Sequence, residues 1–199
     1  KGIRNFVQVE NNDISKQSEE VGARGTTVIS RNIFYNVPAR RKFLKSDKIE
    51  FKHIMNEFIR LSLSHPEIVF TLRNNNQLLY NLKKGNQKKR IVEVLGKSIE
   101  KKIIPIEEKT NLVKIRGYIF KPEYLNKSRN NQFLFINNRY VKSSYLNHAI
   151  SMSYDGLVDK EIKPSYVLFL DSDPSKIDVN VHPSKTEVKF DDENIIYAI

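Results

Sequence analysis

The chain of 199 residues holds 34 Lys and Arg against 23 Asp and Glu, and the resulting formal net charge of +11 favours polyanionic partners. Its 39% hydrophobic and 29% charged residues are typical of a globular protein and exclude a disordered chain. The lack of cysteine excludes disulfides and thiolate metal sites, the histidines show no metal-ligand spacing, and no apolar run reaches the roughly 20 residues of a membrane-spanning helix.

The N-terminal part of the chain predicts two strands and a short helix. Alternating apolar residues favour a strand over residues 2–10, whereas residues 11–20 have too few apolar side chains to pack and predict a polar loop. A second strand is expected over Thr26–Ser30. Pro38 suits the first turn of a helix, which we expect to continue over residues 39–44.

A longer amphipathic helix follows, with Asp47 as its N-cap and His65-Pro66 as its end. Apolar residues spaced three and four apart predict one stripe that packs in the core. The members of this stripe are Phe51, Ile54, Met55, Phe58 and Leu61. Two short apolar runs, at 68–72 and 78–82, then predict a β-hairpin.

The charge run from Lys83 to Arg90 predicts a boundary between two domains, residues 1–84 and residues 85–199. The second domain is expected to begin with a short helix around Ile91 and to continue with a strand over Leu112–Phe120.

Beyond a polar loop over residues 126–132, strands and a helix are expected to alternate. Asn137-Asn138 predicts a turn between two short strands. Ser143 or Ser144 is expected to cap a helix that runs to about Tyr154, and the final strands open at Val167. Both domains are therefore predicted to be α+β.

The stretch from Ile177 to Phe190 predicts two short strands joined by a bend. His182-Pro183 cannot continue a central strand, because proline lacks an amide donor and holds the preceding residue extended. Lys185 then lies on a loop braced by two buried strands, where its ammonium group can be offered to an anion. From the spacing alone, a solvated surface lysine remains the simpler interpretation. The apolar residues that share a face are Ile177, Val179 and Val181 before the bend, and Val188 and Phe190 after it.

Three segments together resemble the MutL family of DNA mismatch-repair proteins. RGTTVISRNIFYNVPARRKFL, over residues 24–44, resembles the family signature around FYNxPARRKFL. FLFINNRYVKSSYLNHAI, over residues 133–150, resembles the FVNxR segment and the helix after it. DVNVHPSKTEVKF, over residues 178–190, resembles the HPxK segment. The segments occur in the order of the family, and the resemblance spans essentially the whole chain.

The resemblance implies a particular α+β fold. We expect the C-terminal part of a GHKL-type ATPase α/β sandwich over residues 1–84, followed by a ribosomal-protein-S5-like transducer domain over residues 85–199. Since Lys1 is not an initiator methionine, we also expect the chain to be an excised fragment.

For nucleotide chemistry, the resemblance implies that Lys185 contacts the γ-phosphate of ATP and that Thr26 lies near the adenine. The general-base glutamate, the Mg²⁺-holding asparagine and the aspartate-glycine motif of GHKL ATPases have no match in this sequence. We therefore expect no catalytic residue and no metal ligand here. ATP and Mg²⁺ would be cofactors of the intact protein and are not expected to bind to this fragment.

For DNA, the resemblance implies contacts to the backbone of double-stranded and single-stranded DNA. Two basic clusters are candidates, and from them we select Arg40, Arg41, Lys42, Lys45, Arg139 and Lys142. An alternative role for Arg40 is an ion pair at the rim of the core. The full clusters are Arg40, Arg41, Lys42, Lys45 and Lys48, and Lys121, Lys127, Arg129, Arg139 and Lys142. Ser144 stands where the family can carry a basic residue, which weakens the second cluster.

The resemblance also implies mismatch-recognition and other repair proteins as partners of an intact, dimeric protein that is cytoplasmic and nucleoid-associated if bacterial. The fragment itself is expected to be a monomer without membrane contact. Two alternatives stay open, namely the transducer region of another GHKL ATPase and a stand-alone basic nucleic-acid-binding module of S5-like fold.

Overall fold

The computed structural model describes residues 2–127, 131–178, 188–191 and 193–199. The chain divides into two compact units, Lys1–Lys52 and His53–Ile199. None of the helices in the described residues is long and apolar enough to cross a membrane.

The first unit begins with a β-hairpin. Strands β1 (Gly2–Glu10) and β2 (Asp13–Gly22) pair antiparallel, with Ile3 opposite Val21. The prediction of β1 is confirmed, whereas the polar loop predicted over residues 11–20 is wrong. Asn11 and Asn12 have φ of +49° and +71°, the backbone that a two-residue hairpin turn requires. No residue of β2 is buried and seven of its ten residues are exposed, so the sequence shows no apolar alternation there.

The segment after the hairpin departs from the prediction. Residues 26–30 form no strand; Val28 and Ile29 are 86% and 67% exposed. A strand exists only where a neighbouring segment pairs with its backbone groups, and no described residue does so here. Helix α1 (Pro38–Arg41) starts with proline as predicted, but ends before the expected residue 44.

Helix α2 (Asp47–Ser64) confirms the long amphipathic helix and ends just before His65-Pro66. Its apolar stripe is only partly correct, because Ile54 and Leu61 are 54% and 53% exposed. The buried residues are Ser62, Leu63 and Ser64. The two serine hydroxyls each donate to a backbone carbonyl three residues earlier at 3.0 Å, which satisfies these groups inside the core.

The predicted β-hairpin after α2 is confirmed, as is the short helix that follows it. Strands β3 (Phe70–Asn74) and β4 (Gln77–Leu82) pair antiparallel across Asn75 and Asn76, whose φ values are +45° and +65°. Helix α3 (Gln87–Leu95) begins earlier than expected, because the side chain of Asn86 accepts the Lys89 N–H at 2.9 Å and caps it.

A five-stranded mixed sheet forms the centre of the second unit, in the order β5-β6-β9-β7-β8. Only β7 and β9 are parallel neighbours. Strand β5 was not foreseen, while the Asn137-Asn138 turn and the helix capped by Ser143 are confirmed. The elements are β5 (Ile103–Lys109), β6 (Val113–Phe120), β7 (Gln132–Ile136), β8 (Arg139–Val141), α4 (Ser144–Met152) and β9 (Tyr166–Ser172).

Each face of the sheet carries its own hydrophobic core. On one face, Phe135 and Phe169 stack at 4.8 Å and pack with residues of α2, β4 and α3 such as Leu63, Leu82 and Ile91. The other face packs against α4 and the C-terminal elements β10 (Ile177–Asp178), β11 (Lys189–Phe190) and α5 (Glu193–Ala198). The α+β fold class is confirmed.

Residues on both sides of the predicted domain boundary share the first of these cores, in which Leu82 packs with Ile91. The predicted boundary after residue 84 follows the domain organisation of the family, whereas the compact units above are defined by packing. The boundary therefore stays a prediction.

One glycine in the sheet allows a close approach between strands. Gly117 of β6 has φ of +147°, and a Cβ there would lie 2.2 Å from the carbonyl oxygen of Val167 on β9. Backbone atoms cannot yield as a flexible side chain can, so residue 117 must be glycine for β6 and β9 to pair as they do.

We predict that Gly117→Ala lowers the free energy of unfolding by about 2 kcal/mol or more, because the added methyl group meets backbone atoms. The matched control is Gly2→Ala, where a Cβ meets nothing within 4 Å and the change should stay within about 0.5 kcal/mol. Urea denaturation followed by circular dichroism measures both, and equal stabilities would contradict the close approach.

Candidate functional site

The basic residues around α1 form an exposed cluster, called the α1 cluster from here on. Within the described residues none of its side chains takes part in an ion pair. The Arg40 guanidinium lies 6.0 Å from the ring centroid of Phe34, so the acidic partner considered for Arg40 is replaced by an aromatic one. Its members are Arg40, Arg41, Lys42, Lys45 and Lys48, all of which are exposed.

Local structure holds the backbone of the α1 cluster in place. The carboxylate of Glu50, in the first turn of α2, accepts the backbone N–H of Lys45 at 2.8 Å. Arg40 and Arg41 lie in the last turn of α1, where the carbonyl end of the helix favours cations. The ammonium and guanidinium groups remain available to an external anion.

A second group of cations lies at the edge of the central sheet. Arg139 begins the edge strand β8, Lys142 follows its last residue, and both side chains are exposed. Between them, the ring of Tyr140 is covered by the guanidinium of Arg60 at 4.0 Å and packs against Phe135. Tyr140 therefore cannot serve as a stacking platform for a base.

The remaining members of the second predicted cluster are less suited to contact DNA. Lys127 forms an ion pair with Glu161, and Lys121 is half-buried. Arg129 lies outside the described residues. The structure therefore supports Arg139 and Lys142 as the exposed cations of this cluster.

The candidate γ-phosphate lysine, Lys185, lies outside the described residues, as do Val179, Val181 and His182-Pro183. The structure does describe the two ends of this segment. Ile177 pairs with Phe190 and Asp178 with Lys189, so the predicted pairing of the two flanking runs is confirmed at its base.

The base of this hairpin is anchored on both sides. Phe190 is 3% exposed, and Val188 packs against the same core, which confirms their common face. On the other strand, Ile177 packs against the same core. In the turn just before β10, the carboxylate of Asp173 accepts the Ser175 N–H at 2.9 Å. This bond and a second one from the Ser175 hydroxyl lower the pKa of Asp173.

Helix α5 follows β11 and is attached to α4 by aromatic side chains. The rings of Tyr145 and Tyr197 lie 4.7 Å apart, and the Tyr197 hydroxyl is 2.6 Å from Nδ1 of His148. The Tyr145 hydroxyl donates to the side chain of Asn194 at 2.9 Å. The elements on either side of the Lys185 segment are thus connected to the core of the second unit.

The second predicted nucleotide residue, Thr26, is exposed and lies in the segment that forms no strand. A cluster of three or more His, Asp or Glu side chains that could hold a metal ion does not occur among the described residues.

The sequence missed the most unusual charged residue, Arg90, which it placed in the charge run that predicts a domain boundary. The Arg90 side chain is only 1% exposed, and burial lowers its pKa. One terminal nitrogen donates to the carbonyls of Ser62 and His65 at 2.7 and 3.0 Å. The other donates to the carbonyls of Pro66, Ile68 and Lys83 at 3.1, 2.7 and 3.0 Å.

A sequence signal for this burial does exist. Arg90 precedes Val94 by four residues and adjoins Ile91, so it belongs to the apolar face of α3. A charge on such a face indicates a buried cation with its own acceptors.

The comparisons with known proteins agree on one family. The family described as "DNA mismatch repair protein, C-terminal domain" matches residues 91–199, more than half of the chain. A DNA mismatch repair protein MutL of Christiangramia forsetii is 47% identical over 193 residues, which are 97% of this chain and 31% of that protein. The chain thus spans about a third of the length of the relatives it matches.

Solved structures show the same fold. The N-terminal domain of a DNA repair protein has a TM-score of 0.77 at 22% identity, over 93% of this chain and 61% of that one. The Aquifex aeolicus MutL ATPase domain complexed with ADP has a TM-score of 0.61 at 23% identity, over 84% of this chain and 61% of that one.

We predict that Arg90→Met lowers the free energy of unfolding by at least about 3 kcal/mol, because the buried Ser62 carbonyl and four part-buried carbonyls lose the guanidinium donor. Lys88→Met, the same replacement on the exposed side of α3, should change it by less than about 0.5 kcal/mol. Thermal unfolding of the two variants side by side gives the comparison, and similar losses would show that the five bonds contribute little.

Proposed function

The chain belongs to the MutL family of DNA mismatch-repair proteins, and on that premise we propose that it joins a nucleotide-sensing loop to a surface that contacts DNA. Because the chain spans about a third of its relatives, the ATP hydrolysis and partners of a whole MutL protein are part of the proposal.

In the nucleotide part of the proposal, Lys185 contacts the γ-phosphate of ATP and Thr26 lies near the adenine. Lysine suits this task because its ammonium group is a compact point charge that stabilises charge on phosphoryl oxygens. The paired residues Ile177 and Phe190 support the proposal, since they hold both ends of the segment that contains Lys185. The ADP complex of an Aquifex aeolicus MutL ATPase domain is consistent with nucleotide binding in this family.

Such a lysine distinguishes ATP from ADP, because only ATP carries the γ-phosphate. The lysine would contact the γ-phosphate only when ATP is bound. ATP would therefore favour the relative domain arrangement in which this contact forms. The general base and the Mg²⁺ ligand of this reaction would come from outside the 199 residues, and ATP and Mg²⁺ would bind to the intact protein.

The proposed DNA binding is supported mainly by the α1 cluster. Its cations are exposed and have no ion-pair partners among the described residues. Cations of this kind release counterions from phosphates and bind duplex or single strands with little regard to sequence. Arg139 and Lys142 provide a second set of contacts at the edge of the sheet.

The proposal also covers the partners and the cellular location of the intact protein. Mismatch-recognition and other repair proteins would be partners of the intact dimer, in the cytoplasm and near the nucleoid. The transducer region of another GHKL ATPase is set aside, because the 47% identical relative is a MutL protein. A stand-alone S5-like module is set aside for the same reason.

We predict that Lys42→Gln together with Lys45→Gln weakens duplex binding several-fold and makes the salt dependence shallower by about one to two counterions. Fluorescence anisotropy from about 50 to 200 mM salt measures both quantities. The double variant Lys109→Gln and Lys160→Gln removes two exposed charges elsewhere and serves as the control. Wild-type affinity that does not fall with rising salt would rule out phosphate-driven contact.

We also predict that the 199-residue chain neither hydrolyses ATP nor binds it above background, because no motif for the general base, Mg²⁺ or adenine is matched in its sequence. A steady-state phosphate-release assay and equilibrium dialysis with ATP give the two readouts. Turnover that disappears in Lys185→Ala would overturn this expectation and assign a catalytic role to the chain.

A further inference from the structure

The positive charge of the chain is concentrated in one short segment. Residues 83–102 contain eight of the 34 Lys and Arg but only two of the 23 Asp and Glu. A tenth of the chain therefore carries more than half of the formal net charge of +11. Neither of the predicted DNA clusters includes any of these residues.

The lysines of this segment lie on the solvent side of α3 and its flanks. Lys88 and Lys89 are exposed on the helix, while Arg90 is buried on its opposite side. Lys84 precedes the helix and Lys97 follows it in a short 3₁₀ turn. We call this set the α3 surface, which consists of Lys83, Lys84, Lys88, Lys89, Lys97 and Lys101, all of them exposed.

An open cavity of about 580 Å³ lies between α3 and β4, and it is lined by Lys88, Lys89 and Lys97. Glu93 and Glu100 line the same cavity, and the Lys89 ammonium lies 3.9 Å from a Glu93 carboxylate oxygen. The other oxygen of Glu93 is buried and accepts no hydrogen bond. Because the carboxylates nearly balance the lysines inside, a small anion gains little there.

The excess charge lies around this cavity rather than within it. A second cavity, of about 570 Å³, meets the first at Gly96 and is lined by Lys102 and Tyr124. The Lys102 ammonium lies 5.5 Å from the ring centroid of Tyr124. A strip of cations that extends past a single cavity matches a long polyanion better than a nucleotide or a phosphate ion.

We infer that the α3 surface binds the phosphate backbone of duplex DNA, as a site separate from the α1 cluster and from Arg139 and Lys142. Its lysines offer flexible point charges, which suit backbone contact without base reading. Tyr124 is already covered by Lys102, so a stacking platform for single strands is not indicated.

Two other polyanionic partners fit less well. Residues 83–102 include no exposed large apolar side chain that could insert into a lipid surface. Protein interfaces are depleted in lysine at their cores, whereas DNA interfaces are rich in positive charge. The choice of DNA as the polyanion rests on the proposed function, but the location of the site does not.

The test compares two variants of the 199-residue chain that each lose four exposed lysines. Duplex binding is measured by fluorescence anisotropy from about 50 to 200 mM salt. The first variant neutralises the α3 surface: Lys84→Gln, Lys88→Gln, Lys97→Gln and Lys101→Gln. The matched control removes the same charge elsewhere: Lys109→Gln, Lys160→Gln, Lys163→Gln and Lys176→Gln.

We expect the first variant to bind duplex DNA at least about tenfold more weakly than the control, with a salt dependence shallower by about two to four counterions. Equal affinity of the two variants overturns the inference. If the α1-cluster variant still binds more weakly in that case, the proposed function stands without the α3 surface. If wild-type chain shows no salt-dependent duplex binding, both proposals fail.

A second measurement on the wild-type chain does not depend on the folding of a variant. Acetylation of lysines with and without duplex should show protection of Lys88 and Lys97 and none of Lys109. Unchanged reactivity of Lys88 and Lys97 overturns the inference. Protection by anionic lipid vesicles or single strands, without protection by duplex, overturns it as well and identifies another partner.

Discussion

The buried guanidinium of Arg90 is the interaction on which the second compact unit depends. The last carbonyls of α2 lack intrahelical donors because the helix ends there, and in the loop after it the carbonyls of His65 and Pro66 each accept one backbone N–H. Arg90 reaches them from α3 and donates five hydrogen bonds, two of them to the carbonyls of Ser62 and His65. A cation at the carbonyl end of a helix is favourable, and the five carbonyl dipoles offset the cost of burying a charge that forms no ion pair among the described residues.

Much of the remaining architecture follows from this connection. With α2, the β3–β4 hairpin and α3 held together, their apolar residues cover one face of the five-stranded sheet, where Leu63, Leu82 and Ile91 pack with Phe135 and Phe169. On the opposite face of the sheet, α4, α5 and the β10–β11 pair pack against it. The ends of the Lys185 segment are thereby joined to a core rather than to a surface loop, as the proposed phosphate contact of Lys185 would require.

The charges of the molecule fall into three physical classes. Arg90 is buried and its two terminal nitrogens donate to carbonyls, so it contributes to stability rather than to binding. On the sheet, Arg116 pairs with Asp171 and Lys114 with Glu107, which neutralises them. The α1 cluster and most of the α3 surface are exposed and lack such partners within the described residues. Exposed cations of this third class, to which Arg139 and Lys142 also belong, are suited to release counterions from a phosphate backbone, so the proposed DNA contacts are drawn from it.

The sequence by itself determined the family, the α+β class and the elements that local chemistry specifies. Asn75-Asn76 and Asn137-Asn138 adopt the positive φ of tight turns, and the Ser143 hydroxyl caps a helix, because these effects involve neighbours in the chain. Strand β2 escaped prediction because none of its residues is buried and they show no apolar period. The strand expected at Thr26–Ser30 failed because a strand needs a partner, and the role of Lys185 stays a prediction. Only the tertiary structure decided the role of Arg90, since its acceptors lie between 7 and 28 residues away along the chain and converge through folding alone.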